Sequence, residues 1–255
     1  MMTAQSWRDD AGVNSLNWSA SAIDFNGLAG DDNITTGSFN DTLFGGNGSD
    51  NITSNDGADS LRGGAGDDTL KAGNGNDLVN GDNDNDLIEG ASGDDTLRGS
   101  AGNDTLKGGY GNDVYYGGNQ DDLLEDYYFN NLQDSDTLDG GTGNDTLRGG
   151  GGNDTYHFNR GYGQDIISDY GTYKSAYQAP RTFDGGSSDT LIFGNGITRN
   201  NLTWTFEAQD LVFSLTDSPS DRLTIQNYSS GFYEIENILV EDNLLTPEEI
   251  ASEAT

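Results

Sequence analysis

From Gly27 to Glu125 the chain keeps a period of nine residues without an insertion, and this period constrains the fold more than any other feature. Eleven consecutive blocks fit it. The sixth position is Asp in every block: Asp32, Asp41, Asp50, Asp59, Asp68, Asp77, Asp86, Asp95, Asp104, Asp113 and Asp122. The eighth is apolar in every block: Ile34, Leu43, Ile52, Leu61, Leu70, Val79, Ile88, Leu97, Leu106, Tyr115 and Leu124. Two of the clearest copies read GGAGDDTLK from Gly63 and GGYGNDVYY from Gly108. Residues 126–130, DYYFN, interrupt the register, which resumes at Asn131 and adds Asp136, Asp145 and Asp154. A looser copy, RGYGQDIIS, surrounds Asp165.

Composition by itself argues for a different outcome. A formal charge of −33 with 32% hydrophobic residues is the mark of a solvated, disordered chain. A strict repeat outranks that reading, because stacked repeats bury together what none buries alone. The charge also argues against nucleic acid or an anionic membrane as partner, since phosphate contacts need clustered Lys and Arg. Cations are the natural partners. There is no Cys, so disulfides and thiolate metal sites are excluded, and the single histidine, His157, argues against zinc. No stretch approaches the roughly 20 apolar residues of a membrane helix. The opening MMTAQSWRDDAGV has no apolar run resembling a signal peptide. The expectation is a soluble chain whose export, if it is exported, does not use a cleaved N-terminal signal.

Each block reads as a six-residue turn followed by a three-residue strand. Gly at positions one, two and four permits positive φ and close approach of backbone, so that carbonyl oxygens point into the turn. Position eight points inward and its neighbours outward, by strand alternation. Two blocks then make an 18-residue coil with one strand in each of two parallel sheets, coils about 4.8 Å apart. Stacking places Asp68 over Asp86 and Asp77 over Asp95. Carboxylates about 5 Å apart repel by on the order of 3 kcal/mol at an effective dielectric near 20, so a hard cation is needed between the turns. Ca²⁺, which accepts six to eight oxygens in irregular geometry, suits this better than Mg²⁺.

The blocks resemble the RTX family (repeats in toxin, haemolysin-type calcium-binding repeats), whose nonapeptide is written G-G-x-G-x-D-x-U-x. The resemblance implies an all-β fold, a right-handed parallel β-roll or β-solenoid, followed by a β-rich capping domain. It implies multiple Ca²⁺ ions, on the order of ten, each shared by turns one coil apart. Carried onto this chain, the ligating residues are Asp32, Asp50, Asp59, Asp68, Asp77, Asp86, Asp95, Asp104, Asp113, Asp122, Asp136, Asp145 and Asp154. The Gly-rich turns that go with them contain Gly45, Gly63, Gly64, Ala65, Gly66, Gly73, Gly75, Gly81, Gly90, Gly99, Gly102, Gly108, Gly111, Gly140 and Gly143. Position four departs from Gly at Phe39, Asp84, Gln120 and Asp134. Phe adopts a left-handed conformation only at real cost. The turns at Phe39, Gln120 and Asp134 are therefore the expected weak points.

The expected organisation is an N-terminal cap over residues 1–26, the roll over 27–157, and a capping or secretion-associated domain over 158–255. DTLIF, LTWTF, DLVFSL and RLTIQNY read as strands, with turns at EAQD and TDSPSD. Thr246, Pro247 and Glu249 mark a helix start. The segment DYGTYKSAYQAPRTFDGGSS reads as a surface insertion or a ligand loop. No G-x-S-x-G elbow or Cys nucleophile is present, and His157 falls at a position facing solvent. The expectation is no enzyme in this chain, with any catalytic domain outside it. Two functions remain: a Ca²⁺-driven folding module of a secreted bacterial protein that engages type I secretion machinery, or an extracellular solenoid that binds polysaccharide or a cell surface. Ice is the weaker target, because the outward positions Asn33, Asn51, Thr69, Leu87, Thr105 and Leu123 are irregular.

Overall fold

An apolar residue repeated every nine positions is buried only if neighbouring strands bring their own equivalents alongside. In this computed structural model they do so at an offset of eighteen. Leu61 pairs with Leu43 on one side and Val79 on the other. Ile52 pairs with Ile34 and Leu70. The structure describes residues 5–8, 15–126, 134–168, 188–194, 196–226, 228, 235–241 and 243–253. The chain divides into two compact units, Met1–Asp122 and Leu123–Thr255.

In the first unit one parallel sheet runs through Gln5–Arg8, Ile23–Asn26, Thr42–Asn47, Ser60–Ala65, Leu78–Asn83, Thr96–Ala101 and Val114–Asn119. The second runs through Ser15–Asn17, Asn33–Thr35, Asn51–Asp56, Thr69–Asn74, Leu87–Ser92 and Thr105–Tyr110. The chain alternates between them, as a β-solenoid requires. The apolar eighth residues are all buried and form the core between the sheets. The eighteen-residue offset reaches back to the first strand, where Gln5 pairs with Ile23 and Leu16 with Ile34. Residues expected to cap the roll thus supply strands in coil register.

The strands are longer than the three residues expected. Ser60–Ala65 covers the end of one block and the start of the next, and pairing resumes at Gly46–Gly64 and Asn47–Ala65 after a skipped position. Positive φ at the second position, 129° at Gly64, bends the chain without loss of its neighbour. Phe39 differs from expectation as well. Asp84 and Gln120 take positive φ at the fourth position, at 72° and 74°, whereas Phe39 and Gly37 do not. That turn follows another path, which spares Phe39 the steric cost of the left-handed region.

In the second unit Thr137–Thr142, Thr155–Phe158, Thr190–Phe193 and Asn237–Val240 lie parallel, and Asn243–Leu245 closes the sheet antiparallel. Leu123–Glu125, Thr146–Arg148, Gln164–Ile167 and Ser218–Ile225 are also parallel, with Asp210–Leu215 and Leu202–Glu207 antiparallel beyond them. Here an otherwise aliphatic core also holds packed aromatic rings. Phe193 meets Phe213 edge-on at 5.1 Å and Phe158 at 6.0 Å. The helix Pro247–Glu253 starts as its capping box predicts, the Glu249 N–H donating to Thr246 Oγ1 and the Thr246 N–H to Glu249 Oε2. Among the described residues no helix is long and apolar enough to cross a membrane. Most of the DYYFN interruption and of the DYGTYKSAYQAPRTFDGGSS segment lies outside the described residues.

Candidate metal centre

Each sixth-position Asp ends a turn just before an inward-pointing strand, so its side chain is trapped between coils. The hydrogen bonds along one edge are regular. The N–H of Asp41 donates to Asp59 Oδ1 at 2.7 Å, that of Asp59 to Asp77 at 2.7 Å, Asp77 to Asp95 at 2.8 Å and Asp95 to Asp113 at 2.8 Å. On the other edge Asp32, Asp50, Asp68, Asp86, Asp104 and Asp122 repeat the arrangement. Consecutive members are eighteen residues apart, so the pairs Asp68/Asp86 and Asp77/Asp95 expected from the repeat are stacked neighbours. Asp41 belongs to its edge despite the altered turn at Phe39, but its own Oδ1 accepts from Ile23, where no Asp stands.

One oxygen of each carboxylate is thereby used. The other, Oδ2, accepts no hydrogen bond and is buried in Asp41, Asp50, Asp59, Asp68, Asp77, Asp86, Asp95, Asp104 and Asp165. Leaving a buried acceptor unsatisfied costs about 1–3 kcal/mol, and more when it is charged. The surroundings of Oδ2 show which group would fit against it. A Cβ placed on Gly63 would stand 2.2 Å from Asp68 Oδ2 and 2.9 Å from the Gly81 carbonyl oxygen. On Gly99 it would stand 2.2 Å from Asp104 Oδ2 and 2.7 Å from the carbonyl oxygen of Gly117. A carboxylate oxygen and a carbonyl oxygen of the next coil thus face the same small space. That is a setting for a hard cation, not for a hydrogen bond.

The first-position glycines Gly45, Gly63, Gly81, Gly90, Gly99, Gly108 and Gly140 corrected our expectation. None has positive φ; each is small because a Cβ would strike its own block's Asp Oδ2. Positive φ is confined to positions two and four, as at Gly64, Gly73, Gly66, Gly75, Gly102, Gly111 and Gly143. Ala65 lies at a strand end, paired with Asn47 and Asn83.

Burial holds these carboxyls well above the usual carboxylate range, and neighbouring carboxylates add to it. Asp86 and Asp95 are pushed up to about 8, Asp68 to about 7, and Asp77 to about 6. Asp104 is pushed up to about 6 by burial. Asp50 and Asp59 shift in the same direction for the same first reason. Among the described residues no three His, Asp or Glu side chains converge on one point, so main-chain oxygens must complete any coordination.

The second unit builds the same contacts from less regular sequence. The backbone N–H of Asp136 donates to Asp154 Oδ1 at 2.9 Å, and that of Asp145 to Asp165 Oδ1 at 3.0 Å. The N–H of Asp154 then donates to Asp189 Oδ1 at 2.9 Å, and the N–H of Asp189 to Glu236 Oε2 at 2.7 Å. Sequence reasoning missed Asp189 and Glu236, because long insertions separate them from the repeat. The available signal was local: S-D-T-L at 188–191 and E-N-I at 236–238 each put an acid two residues before a buried aliphatic.

A second ladder also went unread. Fifth-position side chains accept from the N–H of the fifth residue one coil later: Asp94 from Asn112 at 2.9 Å, Asn85 from Asn103 at 2.9 Å, Asn76 from Asp94 at 3.1 Å. It runs opposite in sense to the sixth-position ladder and explains the wealth of Asn and Asp before the invariant Asp.

The RTX calcium-binding nonapeptide repeat matches in four copies, at residues 26–61, 53–88, 89–124 and 132–165. No curated protein matches significantly. Among solved structures, the extracellular lipase LipA of Serratia marcescens aligns at 16% identity and a TM-score of 0.35, over 94% of this chain and 40% of that one. The repeat copies cover more than half of the residues and coincide with the stacked aspartates, and the chain belongs to the RTX family of calcium-binding nonapeptide-repeat proteins.

Proposed function

We propose that this β-roll is a folding switch for a larger secreted protein, open in a calcium-poor cytosol and closed by Ca²⁺ outside the cell. The observation that carries the reading is the row of buried carboxylate oxygens with no hydrogen-bond donor. Asp50, Asp68, Asp86 and Asp104 on one edge, and Asp59, Asp77 and Asp95 on the other, would hold the ions with carbonyl oxygens of the glycine turns. A bound Ca²⁺ supplies the positive charge that makes a stack of buried carboxylates tolerable. The chain's own part is to fix each Asp by a backbone N–H and to exclude side-chain bulk at the first-position glycines.

An unfolded acidic chain suits passage through the narrow conduit of type I secretion machinery, and extracellular calcium modules typically bind at 10⁻⁴–10⁻³ M. The role is binding and folding, with catalysis left to any further domain of the parent protein. The test is circular dichroism during Ca²⁺ titration after chelation. A cooperative gain of β signal near millimolar Ca²⁺, poorly reproduced by Mg²⁺, is expected. A full β spectrum in excess chelator would overturn the switch.

A further inference from the structure

The outer face of one sheet in the first unit departs from the acidic character of the chain. In parallel register its ninth positions read Phe44, Arg62, Asn80, Arg98 and Tyr116, one per coil. The seventh positions beside them, from Thr42 to Val114, hold hydroxyl and aliphatic side chains. Neither row contains an acid over these five coils, although the chain carries 44 acidic residues against 11 basic ones. Asp82 flanks the strip, its side chain 13% exposed and paired with Arg62. The opposite sheet differs. Its ninth positions alternate Lys71, Glu89 and Lys107, and Lys71 meets Glu89 at 3.0 Å, so that its charges cancel within the row.

Both arginines of the strip are held flat. The Arg62 guanidinium lies over the Phe44 ring at 5.4 Å, and that of Arg98 over Tyr116 at 5.0 Å. Stacking on a ring fixes the guanidinium plane and leaves its N–H edge for a carboxylate. Arg98 forms no ion pair among the described residues, and the Arg62 side chain stays 61% exposed beside Asp82. Two strand spacings separate the arginines, about 9.6 Å. That interval suits one class of anion. In an extended chain of β-1,4-linked uronates each sugar advances by close to one strand spacing, and alternate sugars turn their carboxylates to the same side. Leu78, 46% exposed between the arginine rows, offers an apolar surface to the C–H face of a sugar ring. We infer that this face binds an extended, carboxylate-bearing polysaccharide laid across the strands, with same-side uronates on Arg62 and Arg98. The formal charge of −33 does not forbid this, because exposed charges are screened beyond about 8 Å at physiological ionic strength. The inference goes beyond the folding role and needs only the folded roll.

The probe is a β-1,4-linked mannuronate hexamer, too short to gel with Ca²⁺. It is titrated calorimetrically into the full chain in saturating Ca²⁺, with folding checked by circular dichroism. Binding should weaken as salt rises. Arg98→Gln should weaken it about tenfold, the scale of one charge-assisted contact. Leu78→Glu sets a carboxylate at an exposed position in the middle of the strip and should weaken it at least as much. Lys71→Gln removes a positive charge from the opposite sheet and should leave binding unchanged, which separates this face from Ca²⁺ bridges along the acidic edges. Neutral cellohexaose and a glutamate hexapeptide should each bind about tenfold more weakly than the uronate or worse. Affinity of Arg98→Gln equal to that of the unaltered chain would overturn the inference, as would an equal loss in Lys71→Gln or equal affinity for either control ligand. Absence of hexamer binding by the folded chain would overturn it too, and would leave the calcium switch standing.

Discussion

The two units stack carboxylates in the same way but stabilise the stack differently. In Met1–Asp122 successive acids are eighteen residues apart, each backed by one apolar core residue at the eighth position of its block. In Leu123–Thr255 the same contact spans thirty-five residues from Asp154 to Asp189 and forty-seven from Asp189 to Glu236. The contact, not the nine-residue spacing, defines a turn of the solenoid, and insertions are tolerated wherever an acid precedes the next inward strand. The second unit adds an aromatic cluster not seen among the described residues of the first: Phe158, Phe193, Phe213 and Trp204 in successive ring contacts, with antiparallel strands among them. One buried aliphatic per nine residues cannot offset the conformational entropy of ordering all nine. On the folding-switch proposal, the first unit should therefore depend on cations far more than the second.

Chelation should break the comparison most sharply. Hydrogen exchange in excess chelator should leave the amides of Asp50, Asp68 and Asp86 close to unprotected, while Leu211–Ile225 retain measurable protection. Equal loss in both regions would show that the aromatic cluster has no stability of its own.

Acidity should separate the metal-free and calcium-bound proteins next. The folded-state pKa values of Asp68, Asp86 and Asp95 lie above the ordinary value of 3.8, at about 7 or 8. Raised acids favour the roll when protonated. Their contribution is complete below the ordinary pKa and is lost as pH rises from there through about 7 to 8. Without metal, β signal should therefore grow as pH falls from 8 toward 4. With Ca²⁺ the sign of the binding effect reverses, because protons compete for the carboxylates, and apparent affinity should fall over the same interval. Asp165, at about 8 through burial and the nearby Asp145, Asp139 and Asp221, should report the same change in the second unit. A metal-free spectrum independent of pH would contradict the burial of these groups.

A single substitution tests how local the stack is. Asp95→Ala removes the acceptor of the Asp77 N–H and the donor side of the Asp113 contact stays only as backbone. Calcium stoichiometry should fall at the sites shared with Asp77 and Asp113, with the orphaned N–H costing about 1–3 kcal/mol. The opposite edge, Asp86 to Asp104, should remain bound. Loss of every site together, read by calorimetric titration, would show one cooperative block.

Much of this arrangement was legible in the chain because it is periodic. The inward residues, the stacked aspartates and the parallel pairing all follow from Asp at position six and an apolar residue at position eight. What was not legible depends on contacts at a distance. Nothing local states that Gly63 is small for the sake of Asp68 Oδ2 and not for its own φ. The length of the strands depends on positive φ at position two, which a sequence with Ala91 or Ser100 there does not advertise. Asp189 and Glu236 were hidden because the insertions before them erase the period, although the acid and the buried aliphatic survive.

The smallest expected effect sharpens the comparison from an unexpected side. Among the described residues other than glycine, Leu28, Asn55, Asp82, Asp84, Ala91, Ser100 and Gln120 of the first unit have positive φ, against Ala208 and Glu241 in the second. The more regular unit thus carries the greater backbone strain, because its turn geometry is imposed on residues other than glycine. Ala91, at φ 86°, is the cleanest case, since its side chain is a single methyl. Holding an L-residue in the left-handed region costs about 1–2 kcal/mol. Ala91→Gly removes that cost but gives the unfolded chain more freedom, worth about 0.4–1 kcal/mol in the opposite direction. The balance favours the folded roll by a fraction of a kcal/mol to about 1 kcal/mol. The Ca²⁺ midpoint for folding should accordingly move to slightly lower concentration, and thermal unfolding in saturating Ca²⁺ to slightly higher temperature. A shift in the opposite direction would mean that the methyl group contributes packing between coils that outweighs its backbone strain.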